Sequence, residues 1–577
     1  MLKHIFYLGL ICIFLIQSSC SPTVSYRYWA TKKIAPKDYK VSENFKLKTG
    51  HFAKLHTKNG QVYVLNKWSF DKSDKSKEII GFGVLYDRDR QPIKHGNFII
   101  NVDQLTLIET THPRQFKRTS KLLIGLGVGV AVVGLFCIVA TKACFGSCPT
   151  IYNGELKAED LESSELLAEG FSDAIAPSLE SRDLDPLVST RWSAEHKNVT
   201  LTLTNEAYET HAIKQMNVWA VDLPDQRFVD MVHTPMPDEA HLYPITQSFA
   251  PLKCQSSATG NCLAQVKKAD YQAHLAPAHS KDLGHREHVI LSLPNPYEQW
   301  NAQFADQHSQ QDPTVNKDLR PAVVISLRNS LLNTYIFYQL WSWLGLRAGD
   351  WLMHLESLMQ AGVDNKSTVG KSTFKRISAA LGDLHVELLN GVNKSGEEQW
   401  LSVGRYDEIG PLAQEKVIFL LPKSLPQGPL TLRLTNAQGN FRLDYIASTL
   451  AGNEQKGRLL HPSVVRNQQG QTRDQLLELL KEPKEYLVTY PGDLFYIDYS
   501  DPKGTEQSRY FLDSTGHYVE WQQPSWLKEQ NEAAFIDFLI DPSAGLKKLA
   551  PRYKKLEPNI EKGFWNSRFR MTGTSNE

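Results

Sequence analysis

The stretch KLLIGLGVGVAVVGLFCIVATKACFGSCPTIY, residues 121–152, decides how the chain is divided. Between Leu122 and Ala140 it carries no charge and no strongly polar side chain. That is close to the roughly 20 residues a helix needs to cross a bilayer. Gly125 and Gly129 have the spacing of a GxxxG helix-contact face. The run ends in a paired-cysteine turn, Cys144-Phe-Gly-Ser-Cys148, followed by Pro149. The chain on both sides reads as strands. The fold predicted is therefore mainly β: several antiparallel sandwich or barrel modules around a central apolar helix, with a few additional helices.

The flanks of the run set a conflict. Arg114, Lys117, Arg118 and Lys121 precede it, and a basic flank belongs on the cytoplasmic side. The N-terminus places the same residues outside. Lys3 and His4 form a short basic region, residues 5–16 are apolar, and Gln17-Ser18-Ser19-Cys20 resembles the lipobox of a bacterial lipoprotein. Cys20 is then the lipidated residue, although Gln17 stands where an aliphatic residue is usual. Three readings of residues 122–140 stay open: a true span, a helix embedded in one leaflet, or an apolar helix buried in protein.

Cysteine usage bears on the choice. Of seven cysteines, Cys12 lies in the signal, Cys20 at the lipid site and Cys137 in the apolar run. Cys144 and Cys148, and Cys254 and Cys262, are two close pairs, which export to an oxidising compartment makes candidate disulfides. Their intervals of three and seven residues differ from the usual zinc spacing. The expected location is the cell envelope: membrane-anchored, on the periplasmic or cell-surface side.

A length of 577 residues predicts three or four domains. A formal charge of +1 with no single-sign block gives no electrostatic footprint for nucleic acid. The charged fraction of 22% and hydrophobic fraction of 41% are those of a folded protein. After the signal at 1–20, residues 21–113 read as a small antiparallel β domain, with the hairpin signal Asn59-Gly60 inside it. Residues 114–143 are the basic linker and apolar helix. Residues 144–346 form a β-rich domain. It holds an acidic, helix-favouring segment at 155–168, a long insertion loop at 247–282 and an aromatic helix at 329–346. Residues 347–455 read as a jelly-roll sandwich of short strands. Residues 456–577 form a last β-rich region, with a helix at 531–540 and a tail that is basic from Lys547.

Several stretches together resemble a family of uncharacterised bacterial envelope proteins. These are CFGSCPTIYNG, GFSDAIAPSLESRDLDPL, LTLTNEAYETHAIKQMNVWAVD, VISLRNSLLNTYIFYQ, LTLRLTNAQGNFRLDYIAS and YFLDSTGHYVEW, covering about residues 144–540. The resemblance implies an SCPxxY turn opening a β domain and a galactose-binding-like sandwich segment, with no activity attached. Phe441 departs from that pattern, which often has Trp there.

Chemistry is sparse. There is no G-x-S-x-G elbow, H-E-x-x-H, P-loop or dinucleotide fingerprint, so no catalytic residue, metal ligand or cofactor is assigned. Asp493, Asp498, Asp501 and Asp513 are irregularly spaced for calcium. Glu206, Glu209 and His211 cluster past a strand end, where proton transfer is conceivable. Arg442 and Asp444 alternate on one strand face. His517, Tyr518 and Trp521 follow a glycine break. These last five are the candidate ligand-binding residues. The function expected is a multi-domain envelope lipoprotein acting as scaffold or binding component. Its partners would be membrane lipid, through Cys20 and residues 122–140, and other envelope proteins or glycans. The alternatives are a glycan-binding surface protein and a hydrolase with an unrecognised site.

Overall fold

The computed structural model describes residues 27–34, 53–57, 61–70, 78–86, 92–115, 149–156, 165–171, 180, 182–187, 198–206, 209–235, 241–304, 318–348, 380–381, 383–407, 410–481, 486–489, 493–520 and 529–566. The expectations for Cys20, residues 122–140, Cys144, Cys148 and Trp521 lie outside them. Among the described residues no helix is long and apolar enough to cross a membrane.

The chain falls into two units. The first is one antiparallel sheet of β1 (Arg27–Ile34), β2 (Ala53–Thr57), β3 (Val62–Phe70), β4 (Glu78–Tyr86), β5 (Pro92–Asn101) and β6 (Leu105–Gln115), in the order β1-β6-β2-β3-β4-β5. Strand side chains alternate between faces. Ala53 and Leu55 of β2, Leu65 and Trp68 of β3, Ile79 of β4 and Ile100 of β5 therefore converge on one small core. Strands β2 and β3 flank Asn59-Gly60 and pair antiparallel, Leu55 opposite Tyr63.

The second unit is two sandwiches, one nested inside the other. The chain lays down β7 (Thr150–Asn153), β8 (Leu166–Glu169), β9 (Arg182–Pro186), β10 (Asn198–Thr204) and β11 (Glu209–Asp222). It then builds the whole inner sandwich from β12 (Asp230–His233), β13 (Leu242–Ile245), β14 (Lys253–Ser256), β15 (Gly260–Asn261), β16 (Arg286–Leu293), β17 (Arg320–Asn329), β18 (Leu384–Val392), β19 (Glu398–Tyr406), β20 (Glu415–Leu420), β21 (Leu430–Ala437) and β22 (Phe441–Ala451). Finally β23 (Arg458–Leu460), β24 (Val464–Asn467), β25 (Leu487–Thr489), β26 (Leu494–Ser500) and β27 (Ser508–Glu520) return to complete the outer one.

The outer sandwich has the sheets β24-β26-β10-β7-β8 and β23-β11-β27-β9, with β25 also on β11. Leu201, Leu203, Ile213, Val218, Ile497 and Leu512 meet between them. The inner sandwich lays the sheet β15-β14-β16-β21-β18-β19 against a closed barrel, β12-β13-β22-β17-β20. Strand β17 is almost wholly buried because both its faces are covered. Ala322 and Val324 point into the barrel with Val232, Ile418 and Ala447. Val323, Ile325 and Leu327 point out, against Leu291, Leu384 and Leu432 of the six-stranded sheet. This is why β17 reads as a continuous apolar run rather than an alternation. The sandwich draws strands from both sides of residue 347, since β12–β17 precede it and β18–β22 follow it.

The aromatic helix Leu332–Leu344 is buried. Tyr335, Tyr338 and Trp341 pack with Phe535 and Phe538 of the helix Glu532–Ile540 and with Leu549 and Tyr553 of the helix Pro542–Asn566. Three sequence expectations change here. The basic tail is this last helix, whose Leu546, Leu549, Ala550, Tyr553 and Ile560 repeat on one face while Lys547 and Lys548 face water. The insertion loop contains β14, β15 and a helical turn, Leu263–Val266, that extend the six-stranded sheet. With one apolar residue in Lys253–Ser256, β14 shows no period. The acidic segment, where described, ends in strand β8: Leu167 and Ala168 are buried in the outer core, and that burial outweighs helix propensity.

Candidate functional site

The outward face of the six-stranded sheet gathers the best-organised exposed side chains. Leu430, Leu432 and Leu434 point into the core, so Thr431, Arg433 and Thr435 point out. Register places Arg433 opposite Glu387 on one side and Ile290 on the other, and Thr435 opposite His385 and His288. Arg433 Nε donates to Glu387 Oε2 at 2.7 Å, both side chains being about one quarter exposed (26% and 21%). The same guanidinium lies 4.2 Å from the ring centroid of Trp400, a cation–π stack. Trp400 Nε1 donates to Glu398 Oε2 at 3.1 Å, and His288 Nδ1 lies 3.0 Å from Thr435 Oγ1.

The hydrogen bond from Arg433 holds the Glu387 carboxyl below its usual range. Burial, aided by the nearby Arg405 charge, holds the His385 ring below its ordinary value. At neutral pH the face therefore combines an uncharged imidazole with an ionised Arg–Glu pair and an indole that are fixed by mutual contacts. Such a surface recognises a ligand through fixed donors, acceptors and one planar apolar anchor. Sequence reading passed over Trp400, Arg433 and Glu387. The signal available was the leucine alternation of β21, which turns Arg433 outward.

The four described candidate ligand-binding residues do not assemble. Arg442 and Asp444 lie on β22 of the barrel, whereas His517 and Tyr518 lie on β27 of the outer sandwich. Asp444 is buried beside a bulge opposite Ser326 and Leu327, and its Oδ2 accepts from Gln414 Nε2 at 2.6 Å. Burial raises its acid above the ordinary value. His517 Nδ1 contacts Glu180 Oε1 at 2.7 Å, with Lys214 Nζ 3.4 Å from Glu180 Oε2 and Tyr486 edge-on to the ring. Tyr518, one residue on, takes the opposite face and is buried. Cys254 and Cys262 are joined by a disulfide, S–S 2.04 Å, at the β14–β15 hairpin.

The scattered aspartates have structural partners. Asp498 takes Arg466 and Thr200, Asp501 takes Arg458, and Asp513 takes Trp219 Nε1 at 2.6 Å and Arg182 Nε at 3.0 Å. Among the described residues no group of three or more His, Cys, Asp or Glu is arranged to hold a metal ion.

Glu206, Glu209 and His211 sit in buried networks. Tyr152 Oη donates to Glu206 Oε1 at 2.6 Å, and Thr204 Oγ1 donates to the same oxygen at 3.0 Å. His211 Nε2 lies 2.9 Å from Glu209 Oε1, and its Nδ1 lies 3.1 Å from Thr489 Oγ1. The order hydroxyl, imidazole, carboxylate is that of a nucleophilic triad. Thr489, His211 and Glu209 are only 1%, 0% and 0% exposed, so in this state the array fastens the short strand β25 onto β11 and meets no solvent.

No protein-family model matches the chain, and no curated protein matches it. Among solved structures, one titled "Structure of infectious bursal disease virus Gx strain" aligns over 94% of this chain and 93% of that chain, at 9% identity and a TM-score of 0.14. A likeness at that level carries no argument about fold or function.

Proposed function

We propose that the protein is a scaffold or binding component of a bacterial cell envelope, a lipoprotein held at the membrane through Cys20, with residues 122–140 as a possible second membrane contact. Its partner is another envelope protein, met on the outward face of the six-stranded sheet. The observation that carries this reading is the Trp400–Arg433–Glu387 stack. Trp and Arg are the residue types that dominate binding hot spots, and here they are already ordered by each other. The disulfide at Cys254–Cys262 supports export, because such bonds persist in oxidising compartments.

Site-specific photo-crosslinking from Ser402, next to this stack on β19, tests the reading in intact cells. The expected result is one discrete protein adduct, reduced about tenfold by Arg433→Ala, the effect of losing about 1.4 kcal/mol. Folding stability should stay within about 1 kcal/mol, as for other partly exposed ion pairs. Cys20→Ala should release the adduct from the membrane fraction. An adduct pattern unchanged by Arg433→Ala sinks the assigned face. A glycan is the second reading, favoured by the indole of Trp400. It prevails if purified envelope glycans, and no protein, bind saturably in a way that Trp400→Ala abolishes.

A further inference from the structure

Strands β8 and β9 are edge strands of the two outer-sandwich sheets, and β9 runs against β20 of the barrel. Four carboxylates are buried at this seam. They are Glu169 at the end of β8 (4% exposed), Asp183 and Asp185 on β9 (5% and 1%) and Glu415 at the start of β20 (5%). Asp183 and Asp185 share one face of β9 because strand side chains repeat every second residue. Leu184 between them takes the other face, in the apolar contact that joins the two sandwiches.

The main chain closes round these acids. Leu412 N–H donates to both oxygens of Glu169, at 3.0 and 3.1 Å. A Cβ on Gly410 would lie 2.4 Å from Glu169 Oε1, so a side chain there would push this carboxyl from its place. Phe171 N–H donates to Asp183 Oδ2 at 2.5 Å. Asp185 Oδ2 supplies an independent observation: it is fully buried and has no hydrogen-bond partner among the described residues. Arg328 of β17 faces the group; it reaches Glu169 by charge and gives its Nη1 to Pro411 O at 2.6 Å. Like charges gathered this closely at a buried seam disfavour one another's ionised form. Buried charges of one sign are not sustained; the groups take up protons instead.

We propose that this seam is a proton-operated clasp: protons carried by Glu169 and Asp185 let β8 and β9 close against β20, and their loss as pH rises loosens those strands from the barrel. The acids behave accordingly. Burial, the largest cause, drives both Glu169 and Asp185 well above the ordinary carboxylate range. Glu415 and Asp183 push both further up, while Leu412 N–H and Arg328 pull Glu169 back. The sign follows from linkage. Acids raised in the folded state contribute stability that is complete below the ordinary carboxylate range and is lost as pH climbs through their folded values.

Hydrogen exchange of the full chain tests the clasp. After correction for intrinsic exchange, protection at Leu167, Leu184 and Val417 should fall with rising pH by about tenfold per pH unit for each proton released. Protection at Leu291 and Leu432, in the inner core, should stay level. The double variant Glu169→Gln, Asp185→Asn should make seam protection independent of pH. Infrared difference spectra of the unaltered protein give a second readout that needs no variant: a protonated-carboxyl band present at neutral pH and lost on alkalinisation. Level protection at the seam, an unchanged slope in the double variant, or no such band overturns the proposal. So does recovery of seam protection by added calcium, which would make the cluster a cation site.

Discussion

The two nested sandwiches solve the same packing problem with different chemistry. Between its sheets the inner one is aliphatic and aromatic: Val323, Ile325, Leu327, Leu384, Leu432, Leu434 and Phe419. The outer one places Asn205, Glu209, His211 and Thr489 where side chains have no water, and links them to one another. An apolar core gains from burial in proportion to area and tolerates approximate fit. A buried polar network contributes little net stability, yet removing one member is costly because the others lose their partner. The outer sandwich thus adds a demand for completeness to its own apolar core, and the inner one, held mainly by amount, has a smaller network of the same kind at Ser256, Glu287 and His274.

The largest expected effect breaks the outer network. His211→Ala leaves Glu209 and Thr489 without the imidazole between them. It should cost about 2–6 kcal/mol, about 1–3 kcal/mol for each of the two buried groups that lose their partner. Chemical denaturation measures this. A change below about 1 kcal/mol would mean that the network is not a fastener. Replacing His211 and Glu209 together by apolar residues of similar size should recover most of the loss, and this separates completeness from amount.

The next effect attacks the inner core. Leu432→Ala, at a fully buried position, should cost about 2–5 kcal/mol. Here Leu432→Met should be nearly neutral, since volume-conserving swaps usually cost less than about 1.5 kcal/mol. A Met variant as damaged as the Ala variant would show that the inner sandwich also depends on detailed fit. The smallest effect concerns its edge. Cys254→Ser opens a short loop and should cost about 2–3 kcal/mol on the chain-entropy scale. The melting difference between oxidised and reduced protein reads it, and no difference would leave the hairpin held by its strands alone.

Strand positions were legible in the sequence where one face is apolar and the other polar. Asn198–Thr204, Arg286–Leu293 and Leu430–Ala437 carry that alternation and form β10, β16 and β21. Positions governed by partners far along the chain were not legible. The sandwich expected at 347–455 takes in β20 and β22, but these pair with β17 and close a barrel. The exposed Arg433–Trp400 stack depends on the bulged pairing of β18 with β19. The clasp brings Glu169 to Leu412 across 243 positions. Neither periodicity nor motif spacing encodes such a separation. The last helix was read by its charge; its apolar repeat was hidden by Pro551 and Pro558, which normally interrupt helices.

The nesting of one sandwich inside the other has a consequence for biosynthesis. Strand β10 takes β26 as its neighbour, Thr200 meeting Asp498 across 298 positions. Every strand of the inner sandwich emerges before that partner exists. The inner sandwich is thus free to fold while the nascent chain is still being made, and β7–β11 must wait with bare edges for the last strands. Waiting strands with open edges are the part of a β protein most exposed to misassembly. A chain stopped near residue 455 should therefore keep its inner half and fail in its outer half.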